Sequence, residues 1–116
     1  MSCVLRITGR EIQRRLAVVS VQAFRVEGHT AHFMASESSF DDFEGQVDDA
    51  LSYLQAHDSD VKALMEGPET EGVLDFAVET SMGFLFRRIP ATLVRHAADL
   101  NLALEVSIYP GNEHDG

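Results

Sequence analysis

Apolar residues alternate with polar ones at both ends of the chain and recur at helical spacing in between, so the pattern predicts a mixed α and β domain. Cys3, Leu5 and Ile7 share one face of an opening strand, with Val4 and Arg6 on the other. Thr8-Gly9-Arg10-Glu11 has the spacing of a capping box and predicts a short helix with Ile12 and Leu16 inward. The β-branched and aromatic run from Val18 to Val26, the turn Glu27-Gly28-His29 and the run from Thr30 to Ala35 predict a hairpin. The apolar face of that hairpin shifts by one residue around Gln22 to Arg25, where a bulge or a frayed edge is expected.

The clearest helix follows. Ser39 suits its N-cap, and Phe40, Phe43, Val47, Ala50, Leu51 and Leu54 form one apolar stripe. A second short helix, capped by Asp58 or Ser59, turns Val61, Leu64 and Met65 inward and stops at Gly67-Pro68. Leu74, Phe76 and Val78 alternate with polar neighbours as a half-buried strand, and Ser81-Met82-Gly83 reads as a turn. Pro90 suits the first position of the last helix, with Leu93, Val94, Ala97 and Leu100 inward and Asn101 at its end. Leu102, Leu104, Val106 and Ile108 mark a final strand before a polar tail from Pro110 to Gly116. The predicted order is β, short α, β, β, α, short α, β, α, β. It implies one α+β domain spanning residues 1–116, a mostly antiparallel sheet of about five strands, and two main helices packed on one face.

The opening Leu5-Arg6-Ile7-Thr8-Gly9-Arg10-Glu11-Ile12, the acidic, aromatic-rich helix from Phe40, and the ending Ile89-Pro90-Ala91 through Leu100 to Val106-Ser107-Ile108-Tyr109 resemble a bacterial family known as domain of unknown function 4279. The resemblance runs over most of the chain. It implies a fold and carries over no catalytic or binding residue.

Charge narrows the partners. Nineteen acidic residues against nine Lys plus Arg give a net charge of -10, which repels nucleic acid and anionic membrane and suits a basic protein surface. The single cysteine allows no internal disulfide, and no apolar run approaches the roughly 20 residues that span a bilayer. A cytoplasmic protein is the expectation, with no cofactor.

Catalytic chemistry finds little support in the spacing of residues. His29 and His32 stand three apart, opposite faces if both lie on a strand, so no metal site is expected. Cys3 shares a face with Leu5 and Ile7, where a free thiol behaves as a small hydrophobe. Adjacent carboxylates such as Asp41-Asp42 and Asp48-Asp49 do not face each other on a helix and make no shared acid/base site. Glycines of a phosphate-cradling loop are missing.

Two groups of residues read as binding surface. Asp41, Glu44 and Asp48 give the long helix an acidic outer face, and Arg87 and Arg88 beside Phe84 and Phe86 have the composition of a protein contact. The expectation is a non-catalytic interaction module, as an immunity protein covers a basic toxin; the alternative is a small-ligand binder or an enzyme without a recognisable motif. Crowding of Phe84, Leu85, Phe86 and Ile89, together with the hairpin around His29, also points to a homodimer.

Overall fold

The computed structural model describes residues 2–80 and 87–110. Five strands, β1 (Cys3–Thr8), β2 (Arg25–Glu27), β3 (Thr30–Ser36), β4 (Glu71–Thr80) and β5 (Leu102–Pro110), form one sheet in the order β2-β3-β1-β4-β5. Four helices, α1 (Ile12–Leu16), α2 (Phe43–Ala56), α3 (Asp58–Met65) and α4 (Ala91–Asp99), complete an α+β domain. The sheet is mixed. β1 runs antiparallel to both β3 and β4, and β2 antiparallel to β3, whereas β4 and β5 are parallel along nine register pairs from Gly72 with Leu102 to Thr80 with Pro110. The expectation of a mostly antiparallel sheet is corrected here, because α4 carries the chain back to the starting end of β4, as parallel neighbours require.

The core follows the alternation along the strands. Leu5 and Ile7 on β1, Phe33 on β3, and Leu74 and Phe76 on β4 are fully buried, and Val78 is nearly so. Phe43, Val47, Ala50 and Leu54 of α2 join the same cluster, with the Phe43 and Phe76 rings 5.4 Å apart. Each of these Val, Leu, Ile and Phe side chains contributes about 1.5–3 kcal/mol through burial.

Several local expectations give way to other hydrogen bonds. Thr8 caps no helix: it lies in β1, where its hydroxyl meets that of Thr30 at 2.8 Å, and Glu11 precedes α1 with no side-chain cap. The predicted strand from Val18 shrinks to Arg25–Glu27 because the Asp60 carboxylate accepts from the Ser20 and Val21 amides, both at 3.0 Å. A sheet neighbour therefore never receives those donors, and Val18 is left exposed. Ser39 does not cap α2; Asp42 does, accepting from the Gly45 amide at 2.9 Å, and Phe40 lies before the helix with its ring 5.7 Å from that of Tyr109. Pro90 is the N-cap of α4 rather than its first residue, and Val94, expected inside, is exposed. Asn101 takes the left-handed position just past α4, φ 62°, as anticipated for a helix end. The expected turn at Ser81 to Gly83 and the tail from Gly111 lie outside the described residues.

One buried polar side chain fixes where α2 begins relative to the sheet. β1 begins at Cys3, opposite Phe76, so the next β4 residue, Ala77, paired with Ser107 of β5 on one side, has no β1 residue beside it on the other; its amide donates to the Ser2 carbonyl at 2.7 Å. Its carbonyl accepts from Gln46 Nε2, also at 2.7 Å, and the same amide group donates to the Ser39 carbonyl at 3.3 Å. Gln46 is wholly buried and replaces the missing strand for one residue.

Candidate functional site

With the head of α2 pinned to β4 by Gln46, the acidic residues of its first turns face the segment that leads into α4. Asp41, Asp42, Phe43 and Glu44 line one side of a cleft of about 560 Å³, and Arg87 and Arg88 line the other. A hollow of about 220 Å³ adjoins it, bounded by Glu44, Val47, Asp48, Arg88 and Pro90. The fold thus brings together five of the seven residues singled out from the sequence: Asp41, Glu44, Asp48, Arg87 and Arg88. Phe84 and Phe86 lie outside the described residues.

The acidic side chains around this cleft differ in what engages them. α2 contains Glu44, Asp48 and Asp49 and no Lys or Arg. Asp49 is occupied, accepting from the Ser36 and Ser38 hydroxyls at 2.8 and 2.9 Å, and Asp42 is spent on the cap. Asp41 accepts from the Ser39 hydroxyl. Glu44 and Asp48 are exposed and form no ion pair with any described residue, although Arg88 borders the same hollow. An ion pair in water is worth about 1 kcal/mol at contact and must offset the loss of side-chain freedom, so an open arrangement costs the free protein little. It leaves charge to be matched from outside.

No protein-family model, no curated protein and no solved structure matches this chain.

The cleft presents carboxylates and guanidinium groups above the buried Phe43 ring, the constituents of a charged contact surface. The titratable residues of chemical interest lie elsewhere. His32, on β3, is nearly buried; its basicity is lowered chiefly by burial and then by Arg25, with Glu27 at 3.8 Å opposing. His96 Nε2 lies 3.2 Å from Asp58 and ties α4 to α3. Among the described residues no group of three His, Cys, Asp or Glu side chains is placed to hold a metal ion, and no helix is long and apolar enough to cross a membrane.

Cys3 is fully buried on β1, and burial first, then Asp75 and Asp49, raises its thiol far above the ordinary range. Burial thus disfavours the nucleophilic thiolate in the folded state. Labelling by iodoacetamide at pH 8 is expected to follow the global unfolding rate, and to become fast in denaturant. Rapid native labelling would show that β1 opens locally.

Sequence reasoning missed Asp42 and Gln46. Asp42 was legible as a cap, standing three residues before Gly45. Gln46 lies three residues after Phe43, in phase with the apolar stripe, which is the signal of a buried polar group with a fixed partner.

Proposed function

We propose that this chain is a small bacterial interaction module, cytoplasmic and non-catalytic, that covers a basic protein surface with the acidic head of α2 and the Arg88 rim. The observation that carries the reading is the pair Glu44 and Asp48, exposed and without an ion pair among the described residues, in a chain of net charge -10. Among the described residues these charges have no ion-pair partner, whereas Arg6, Arg10 and Arg14 elsewhere on the molecule each engage a carboxylate. Complementary charge speeds encounter and fixes register, as in an immunity protein against a basic toxin. Membership of the domain of unknown function 4279 family and packing of α2 and α4 on the same face of the sheet belong to this proposal; contact between the two helices supports the second.

The test is capture of a partner by the wild-type chain and by a Glu44→Lys, Asp48→Lys double variant from the native host, followed by affinity measurement on the purified pair. Wild-type binding should weaken steeply as salt rises, and the reversed variant should lose more than about 10-fold in affinity, mostly through slower association. Equal affinity in both proteins overturns the assignment.

A second reading has one observation in its favour. Arg87 and Arg88 lie in the connection from β4 to α4, at the carboxyl end of a parallel β-α-β unit, where ligand sites of such units concentrate. A small ligand held there would raise the melting temperature of the isolated chain, an effect a purely protein-binding surface does not give with metabolite-sized anions.

A further inference from the structure

The two edges of the sheet are built differently. β2 is three residues long, exposed throughout, and carries Arg25 and Glu27 3.7 Å apart, so it is short and charged in the manner of a protected edge. β5 forms the other edge with nine residues, and no described strand pairs with its outer side. Its one charged residue, Glu105, is drawn back over the sheet by Arg6, whose Nη2 donates to Glu105 Oε1 at 2.5 Å. Along the face that β5 shares with the core, Val106 and Ile108 are 42% and 63% exposed, although their register neighbours Phe76 and Val78 on β4 are buried. A long, apolar, unpaired edge of this kind is a template for another strand.

We propose that the outer edge of β5 pairs antiparallel with β5 of a second copy of this chain, about a two-fold axis at Val106. Symmetry selects that register. An antiparallel ladder alternates between wide and narrow residue pairs, and a two-fold axis maps each pair onto one of its own kind, so one residue has to face its own copy. Only Val106 as that residue engages the whole strand from Leu102 to Pro110. Leu104 then faces Ile108 of the second copy, joining the exposed apolar residues in one row across the axis. Glu105 faces Ser107, whereas an axis at Glu105 would oppose two carboxylates directly, which is destabilising. The strand is thus complementary to itself in charge and in apolar pattern, and the pairing yields a continuous ten-stranded sheet. This surface is separate from the cleft at Glu44 and Asp48, so the proposal stands or falls independently of the basic-partner reading. It also places self-association on an element other than the hairpin around His29 or the segment Met82 to Ile89.

Light scattering at about 100 μM, which populates dimers of micromolar affinity, should give a mass twice the 12.8 kDa of one chain. Val106→Lys, at a half-exposed position, should return the mass to that of one chain with unchanged circular dichroism. Val106→Cys should link to itself on mild oxidation, since directly opposed cross-strand Cβ atoms lie about 4.5–5.5 Å apart and need only a small adjustment. Ala103→Cys, opposite Tyr109 of the second copy, should not link, and Cys3 is buried away from the reaction. A monomeric wild type, a Val106→Lys variant that stays dimeric, or linkage through Ala103→Cys instead of Val106→Cys overturns the proposal. Should the Lys variant unfold, the two cysteine variants decide.

Discussion

Replacing Phe76 by Ala is expected to cost about 3–5 kcal/mol of stability, a fifth or more of the roughly 5–15 kcal/mol that holds a domain of this size together. Phe76 is fully exposed to the core and not at all to water: it lies on β4 between Cys3 of β1 and Val106 of β5. The Phe43 ring of α2 rests against it at 5.4 Å. Truncation removes the ring's burial and leaves a cavity that three elements border, and a sheet flanked by paired strands cannot collapse into it. Urea unfolding should show a lower midpoint with an unchanged slope, because the surface exposed on unfolding hardly alters. Ile108→Ala, two residues beyond the register neighbour of Phe76 on the same face, is the control. Being 63% exposed, it should change the stability of the unassociated chain by about 0.5 kcal/mol or less. A loss below about 1.5 kcal/mol at Phe76 would mean that the sheet relaxes around the site and that α2 is not seated on β4 as described.

The elements that the sequence made legible are those with one dominant cause. The α2 stripe from Phe43 to Leu54 and the alternation of Leu74, Phe76 and Val78 both follow from burial on one side. Local rules failed where a distant group competed for the same backbone donors. Asp60, on α3, took the Ser20 and Val21 amides, and a β-branched run that reads as strand became a loop. Thr8 and Ser39 had the residue type of a helix cap, yet Thr30 and Asp41 engaged their hydroxyls instead. The parallel pairing of β4 with β5 was foreshadowed by the intervening helix, but half-buried alternation argued for antiparallel neighbours and the connection decided otherwise.

The cleft shows the same division. Asp41, Glu44 and Asp48 on one side and Arg87 and Arg88 on the other were each visible as charged surface. Their meeting was not, since it depends on the Gln46 bond to Ala77 that sets the head of α2 against β4. A sequence pattern carries the composition of a surface; juxtaposition across some forty residues is a property of the packing.

Arg6→Ala is expected to cost about 1–2 kcal/mol, between the usual worth of a surface ion pair and the 3–5 kcal/mol of a broken buried one. Arg6 Nη1 donates to Asp75 Oδ2 at 2.8 Å, and the hydroxyl of Ser107 donates to the other Asp75 oxygen at 2.9 Å, so the network ties β1, β4 and β5 together. The Arg6 and Asp75 side chains are 30% and 16% exposed, which screens the pair in part and excludes the full buried-pair figure. Removing Arg6 leaves the Asp75 carboxylate partly desolvated with one hydroxyl donor, and that loss dominates the effect. The Glu105 arm is more than half exposed and should matter little: Glu105→Ala is expected within about 0.5 kcal/mol of the wild type. Arg6→Ala and Asp75→Ala together should cost less than the sum of the two, because each already removes the same bond. Urea unfolding of the four variants checks this. If Arg6→Ala proves no costlier than Glu105→Ala, or the double variant is strictly additive, the network is decoration on the sheet and the parallel pairing of β4 with β5 rests on backbone bonds and the core alone.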